Sequence, residues 1–335
     1  MRQVFIVRKG PPNRALEVRN NPQPVLRAGE VRVRVRAAGV NFADLMSCYG
    51  LYPDAPARPF VPGYEVAGEI DEVSEGVPAS RRGERVVATT RFGGYSEMIA
   101  IRHELLLPMP PRLSFAEAAS IPVNWLTAWH MLVELANLKP GQRVLVHAAA
   151  GGVGLAALQI CKRIGAEVIG TASAPKHARL RELGLAHAID YRTQDFEAEV
   201  RRITGGKGVH VALDAVGGAS IQKSFRSLAV TGKLMIFGAS SVLGGFRKMI
   251  SSAVRMAPFW PLSLMKTNKG VFGVNIGRLW GEEEMLAREM REIVRGFEEG
   301  AFRAIVDAEV PFAEAARGLQ RLERRENFGK VVLVP

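Results

Sequence analysis

The run from Val144 to Ser173, VLVHAAAGGVGLAALQICKRIGAEVIGTAS, admits few folds. Its first 18 residues, Val144–Cys161, carry no Lys, Arg, Asp or Glu, a length at the lower edge of what spans a bilayer. His147, Gly151, Gly152 and Gly154 interrupt that run. A strand, a glycine turn and a helix therefore account for it better than one apolar span. The small residues fall as Ala148-x-x-Gly151-x-x-Gly154, a variant of GxGxxG with alanine first. Such a turn lets backbone N–H groups approach a pyrophosphate with no Cβ in the way. The helix that follows adds unpaired donors and the positive end of its dipole. Gly154 allows close packing of helix on strand. Ala150, Gly151, Gly152, Val153 and Gly154 are the candidate phosphate-binding residues.

Downstream, strand and helix alternate. Glu167–Thr171, Ala188–Tyr191, Val209–Ala215 and Lys233–Gly238 read as strands. Pro175–Leu183, Phe196–Ile203 and Ser220–Leu228 read as helices. Short connections between them predict an α/β fold, a Rossmann-type doubly wound parallel sheet. Residues 1–120 have another texture. Gln3–Val7, Glu30–Ala37, Gly68–Val73, Arg85–Thr89 and Ser96–Ile101 are short strand-like runs punctuated by Gly, Pro and Asn. Phe115–Leu138 reads as helix, broken or kinked at Pro122. The tail is mixed: an amphipathic helix over Glu283–Glu298, a strand over Val306–Val310, a helix over Ala313–Arg324 and a strand over Lys330–Val334. The expected organisation is a discontinuous β-rich domain, 1–122 with 270–335, around a cofactor domain, 123–269.

The second strand of the cofactor block ends Gly170-Thr171-Ala172-Ser173, with no acidic residue to hold a ribose 2′-hydroxyl. Lys176 follows. Hydroxyls and a lysine suit a 2′-phosphate, and a carboxylate would repel it. Thr171, Ser173, Lys176 and, at the end of the next strand, Tyr191 are the candidate 2′-phosphate residues. NADPH is the expected cofactor. The chain carries 45 Lys and Arg against 33 Asp and Glu, a formal charge of +12. That balance favours anionic partners without choosing among them. Basic residues are spread along the chain with no interleaved aromatic RNA-binding motif, so nucleic acid is not an expected partner.

Two cysteines, Cys48 and Cys161, exclude a disulfide framework and a cysteine-built zinc site. The six histidines form no HxxxH or HExxH pattern. There is no Tyr-xxx-Lys pair and no GxSxG, which removes short-chain dehydrogenase and esterase chemistry. The N-terminus is too short in apolar residues for a signal peptide, and no targeting motif ends the chain. A cytoplasmic location is expected.

Several motifs carry a resemblance: GVNFADLMSCYGLYP (39–53), PGYEVAGEI (62–70), VNWLTAWHML (123–132), HAAAGGVG (147–154), LDAVGG (213–218), GKLMIFGASS (232–241) and NFGKVVLVP (327–335). Together they make the chain similar to the zinc-free quinone oxidoreductase branch of the medium-chain dehydrogenase/reductase superfamily. Within that branch, NFADLM, GTASAPKH and NKGVFGVNIGRL resemble the vesicle amine transport protein homologues. The resemblance implies a GroES-like catalytic domain and a Rossmann domain with the cofactor in the cleft between, and a homodimer. It aligns Asn41 with the cysteine and Tyr64 with the histidine of zinc-dependent members. Glu65 remains, and one carboxylate is no zinc site. It also implies a loop bearing Asn41 and Asp44 near the nicotinamide, with Asn41 donating to cofactor or substrate and Asp44 orienting the loop. Tyr52 and Tyr64 are candidate pocket walls or proton donors. Asn124 and Thr127 are placed toward the nicotinamide, and Phe237, Gly238 and Asn327 along the cofactor's other side. Related quinone reductases carry Tyr where Met46 stands here.

The expected activity is zinc-independent, NADPH-dependent hydride transfer to a small hydrophobic quinone or α,β-unsaturated carbonyl compound. One stretch points elsewhere. Residues 246–269, FRKMISSAVRMAPFWPLSLMKTNK, hold five basic residues, no acidic one and many apolar ones. They suit a lid over a substrate pocket, a dimer contact or an anionic membrane surface. The rival function is therefore an NADPH-binding, largely non-catalytic sensor or lipid-associated protein.

Overall fold

The computed structural model describes residues 1–243 and 259–335. By packing, the chain divides into two units, Met1–Asn124 with Glu283–Pro335, and Trp125–Glu282.

In the first unit, β1 (Arg2–Ile6) and β2 (Leu16–Asn20) form an antiparallel pair joined through a one-turn helix, α1 (Pro12–Ala15). The main sheet has β3 (Glu30–Gly39), β4 (Glu65–Val73), β5 (Arg85–Thr89), β6 (Met98–Arg102), β7 (Leu107–Pro108), β14 (Val306–Pro311) and β15 (Lys330–Val334). Its order is β14-β15-β3-β4-β5-β7, with β6 also paired to β3. Strand β3 runs antiparallel to both β4 and β15, through Ala38↔Val66 and Val332↔Gly39. That register brings the end of β3 beside the starts of β4 and β15, and so gathers residues from three distant parts of the chain.

The loop expected around Asn41 is instead a helix, α2 (Phe42–Tyr49). Asn41 sits at its N-cap, with its backbone N–H donating to Asp44 Oδ2 at 2.8 Å, half of a capping box. Gly50 closes the helix in the left-handed region, φ +71°. The helix expected over 115–138 is three pieces. Ser114 caps α3 (Phe115–Ala119), accepting from Glu117 N while Glu117 Oε2 accepts from Ser114 N. Pro122 opens α4 (Pro122–Trp129), where its missing N–H costs nothing. A π-helical turn, His130–Leu135, follows.

In the second unit, β8 (Arg143–Val146), β9 (Glu167–Ala172), β10 (His187–Asp190), β11 (Val209–Asp214), β12 (Leu228–Ile236) and β13 (Gly270–Gly273) form a sheet in which every paired neighbour is parallel. The order is β10-β9-β8-β11-β12-β13. Leu145, Ile169, Ala212 and Leu234 are its buried apolar centre, covered by α7 (Phe196–Ile203) and α8 (Ala219–Arg226), while α5 (Gly152–Ile164) packs on β8 and β9 and α6 (His177–Glu182) on β10. The order reverses between β8 and β11, and open α/β sheets bind ligands outside the carboxyl ends of strands at such a point.

The expected domain boundary at 269 is displaced. Residues 270–273 pair with β12 through Lys233↔Gly270 to Ile236↔Gly273, so they extend the parallel sheet. Residues 270–282 accordingly pack with the second unit. Of the stretch 246–269, residues 246–258 lie outside the described residues. In the remainder, Phe259 packs on Phe225 at 5.0 Å between ring centroids, and a helix spans Pro261–Thr267. Among the described residues no helix is long and apolar enough to cross a membrane.

Candidate active site

Asn41, Glu65 and Lys330 meet where β3 ends and β4 and β15 begin. Lys330 Nζ lies 2.5 Å from Glu65 Oε1 and donates to Asn41 Oδ1 at 2.7 Å. Asn41 Nδ2 donates to Glu65 Oε1 at 2.8 Å. Glu65 Oε2 accepts from Val123 N at 2.7 Å, a donor in the first turn of α4. All three side chains are buried. A buried ion pair survives the loss of hydration only when its remaining hydrogen-bonding capacity is filled, as it is here. Gly39 provides the room, because a Cβ there would stand 2.4 Å from Glu65 Oε1 and 2.6 Å from Ala119 O.

This geometry corrects the expected role of Asn41. Its amide nitrogen and oxygen are both committed to the ion pair, so it positions Glu65 and Lys330. Asp44 is likewise a positioning residue. It is fully buried and accepts from Asn41 N, from Gly63 N at 3.0 Å and from the Tyr95 hydroxyl at 2.8 Å. Burial raises its pKa to about 6, against the opposing pull of those three donors and of Lys330. Tyr64 is buried, with its ring edge-on to Tyr52 at 6.0 Å between centroids.

In the second unit the candidate cofactor residues gather at the carboxyl ends of the parallel strands. Residues 150–154 follow β8 and open α5. Ser173 and Lys176 follow β9, Tyr191 follows β10, and Phe237 and Gly238 follow β12. The turn depends on close backbone approach. Ala148 takes the left-handed conformation, φ +52°, and a Cβ on Gly154 would lie 2.6 Å from Ala148 O. Ala149 N donates to Thr171 O at 3.0 Å, which fixes the turn to β9. The glycines thus leave a backbone cradle at a helix N-terminus, of the shape and polarity a dinucleotide pyrophosphate requires.

Thr171 is corrected too. It is buried, and its hydroxyl lies 3.1 Å from His147 Nδ1. His147 Nε2 lies 2.9 Å from Ser224 Oγ, which donates to Asp214 Oδ2 at 2.8 Å. The network sets the tautomer. Ser224 gives its proton to Asp214, so it accepts from Nε2–H, and Nδ1 accepts from Thr171. Burial lowers the His147 pKa, outweighing the nearby Asp214 carboxylate. The network ties β8, β9, β11 and α8 beneath the turn, and Thr171 belongs to that support. Asn124 donates to Ser120 O at 3.3 Å, three positions before Thr127 on α4, and Asn327 donates to Gly329 O at 2.9 Å.

Sequence reasoning missed Lys330, Tyr95 and the His147–Ser224–Asp214 set. The available signal for Lys330 was one lysine opening an otherwise apolar strand, KVVLV.

Two family models match the chain: the alcohol dehydrogenase GroES-like domain over residues 27–111 and the zinc-binding dehydrogenase over 152–293. The synaptic vesicle membrane protein VAT-1 homolog of Rattus norvegicus is 38% identical over 327 residues, which is 96% of this chain and 80% of that protein. The chain belongs to the medium-chain dehydrogenase/reductase family. The VAT-1 homolog of Danio rerio is also 38% identical, and the chain spans 65% of its length. Among solved structures, mycobacterial Rv1454c complexed with NADPH is 32% identical with a TM-score of 0.88. Escherichia coli quinone oxidoreductase complexed with NADPH is 30% identical with a TM-score of 0.87. Each of these two alignments covers 100% of both chains. The family fold, a GroES-like sheet unit and a Rossmann-type parallel-sheet unit, is the one described above.

Two outcomes test the positioning roles. Lys330→Met leaves the Glu65 carboxylate buried and unpaired, and is expected to cost about 3–5 kcal/mol of stability, with more than half recovered by adding Glu65→Gln. Urea unfolding of the single and double variants measures this; a Lys330→Met loss below about 1 kcal/mol contradicts the pairing. Asp44 has a folded-state pKa raised above its unfolded value, so its contribution is greatest at low pH and falls as pH rises through about 6. Wild type compared with Asp44→Asn should therefore lose relative stability between pH 4 and pH 7, by roughly 3 kcal/mol at most. A difference that stays flat across that range would exclude a raised pKa.

Proposed function

We propose that the protein is a zinc-independent, NADPH-dependent reductase of quinones or α,β-unsaturated carbonyl compounds. The observation that carries this reading is the commitment of Glu65. Both of its oxygens are taken, by Lys330, Asn41 and a backbone N–H, at the position that resembles a zinc ligand in zinc-dependent relatives. Asn41 and Tyr64, at the other two such positions, are poor zinc ligands. A lysine ammonium therefore satisfies the carboxylate that a metal would need. Without a Lewis acid the alcohol–alkoxide direction lacks an electrophile, whereas reduction of an already electrophilic quinone or enone does not require one.

When bound, NADPH supplies the hydride. Gly151, Gly152 and Val153, at the opening of α5, would hold its pyrophosphate through backbone N–H groups. Ser173, Lys176 and Tyr191 would receive its 2′-phosphate. The two NADPH-complexed structural relatives support this choice of cofactor. Asn124 and Thr127 remain assigned to the nicotinamide end, and Phe237, Gly238 and Asn327 to the cofactor's other side, by family resemblance. A homodimer is the expected assembly on the same ground.

A second reading rests on one observation. Trp260, Leu262 and Met265 are about 70% exposed on or beside the Pro261–Thr267 helix, near Lys266. Apolar and basic groups together suit an anionic membrane surface. NADPH binding with no turnover on any acceptor, together with capture by phosphatidylserine vesicles, would establish this reading in place of the first.

Anaerobic NADPH oxidation against quinones and 2-alkenals, with NADH as control, is expected to show NADPH-selective turnover. Lys176→Ala should raise the Kd for NADPH by about ten-fold or more and leave that for NADH within about two-fold, because it removes only a phosphate partner. Equal NADPH affinity in the two proteins would overturn the 2′-phosphate assignment.

A further inference from the structure

Four buried side chains cross the point where the order of the parallel sheet reverses. Thr171 on β9 donates to His147 Nδ1 at 3.1 Å, just past the end of β8. His147 Nε2 donates to Ser224 Oγ on α8 at 2.9 Å, and Ser224 donates to Asp214 Oδ2 on β11 at 2.8 Å. The chain of bonds continues past Asp214. Its Oδ1 accepts from Val216 N at 2.8 Å and from Gly217 N at 2.9 Å, and these bonds shape the turn over 214–218. That turn docks on the residues after β12. Ser240 N donates to Ala215 O at 3.1 Å and Ser241 N to Val216 O at 2.9 Å, and a Cβ on Gly238 would stand 2.9 Å from Ala215 O.

The chain has one direction. An ionised Asp214 only accepts, so Ser224 gives it a proton, the imidazole gives one to Ser224, and Thr171 gives one to the imidazole. This polarity excludes a nucleophilic serine, because the histidine donates to Ser224 instead of taking its proton. Phe196 packs edge-on against the imidazole at 4.5 Å between centroids and restrains the ring. Backbone bonds also join these strands, Ala149 N to Thr171 O and His147 N to Leu213 O, but they stop at the strand ends. The side-chain bonds run on into the 214–218 turn. At one end of them, Thr171 leads directly into Ser173 and Lys176. At the other, the turn lies against Gly238.

We infer that Thr171, His147, Ser224 and Asp214 form a strut that couples the 2′-phosphate half of the cofactor site to its other half, so that filling the first orders the second. Thr171 and His147 are positioning residues. A phosphate held at Ser173 and Lys176 fixes the end of β9 and with it the Thr171 hydroxyl. In a buried, fully paired chain each bond sets the direction of the next, and the restraint reaches the 214–218 turn. The coupling is reciprocal, so a group bound beside Gly238 tightens the 2′-phosphate end equally. The inference rests on the NADPH assignment and adds to it a link between the two ends of the site.

The probe is 2′,5′-ADP, which carries the 2′-phosphate and lacks the nicotinamide half. Amide hydrogen exchange of the full chain is followed with and without it. In wild type, saturating 2′,5′-ADP is expected to slow exchange at Val216 and Gly217 by about five-fold or more. Thr171→Val keeps the side-chain shape and removes the hydroxyl, two strands away from that turn. It is expected to abolish the slowing at Val216 and Gly217 while 2′,5′-ADP still protects residues 173–176, and to raise the Kd for NADPH about five- to ten-fold. Thr171→Ser, which keeps the hydroxyl, should recover both. His147→Asn keeps an acceptor toward Thr171, loses the link to Ser224, and should behave as Thr171→Val does. A cooperative thermal transition establishes that each variant is folded. Equal slowing in wild type and the two broken variants overturns the strut, as does a wild type that binds 2′,5′-ADP with no slowing at Val216 and Gly217; either result leaves the NADPH assignment standing. Failure of wild type to bind 2′,5′-ADP removes that assignment and the strut with it.

Discussion

The buried contact of Lys330 with Glu65 and Asn41 joins segments nearly 300 positions apart. It can form because β15 inserts between β14 and β3, so that the C-terminal strand delivers a cation beside the start of β4. Most of the unit's local design serves that contact. Gly39 clears space for the carboxylate, α4 aims a backbone N–H at its second oxygen, and Asn41 bridges the two charges. Asp44 then fixes Asn41 from behind through the capping box and carries the constraint to Gly63 and Tyr95. Desolvating two charges is expensive, and removing either partner is more so. The arrangement holds the end of β3, the N-terminus of α2 and the start of β4 in one geometry.

The second unit solves a related problem without charge pairing. Its glycine turn needs Ala148 in a left-handed conformation and Gly154 against the backbone of Ala148 and Ala149. A neutral histidine, held between Thr171 and Ser224, supports the turn from the interior of the sheet. Asp214 anchors that chain and is itself satisfied by two backbone N–H groups and two serine hydroxyls. A fully paired polar network of this kind fixes one arrangement of the strands around it.

The parallel-sheet unit was largely legible from sequence, because its strands are continuous apolar runs and its helices have clear stripes. Phe196–Ile203, Glu283–Glu298 and Lys330–Val334 have the bounds their patterns predict. Shorter elements were not legible. Helix α2 is eight residues long, and no long periodicity announces it; the resemblance supplies only a loop bearing Asn41 and Asp44. The four-residue β13 was misplaced because its membership depends on pairing with β12, a non-local property. The site shows the same division. The family resemblance supplies Asn41, Asp44, Tyr52 and Tyr64 as candidates, and the phosphate turn reads from its glycines. What Asn41, Asp44 and Thr171 do depends on partners 3 to 289 positions away, and no spacing rule reports those. Lys330 is hidden for the same reason, since in the sequence its partner Glu65 reads only as a remnant ligand.

We propose that a lysine ammonium, and not a metal ion, satisfies Glu65 in a reductase that works without zinc. The most direct measurement is the zinc content of protein purified from zinc-supplemented cells, read by mass spectrometry beside NADPH-dependent quinone turnover before and after dialysis against 1,10-phenanthroline. Zinc far below one atom per chain with turnover unchanged by the chelator is the predicted result. Close to one zinc per chain, with turnover lost on chelation and restored by added zinc, would contradict it.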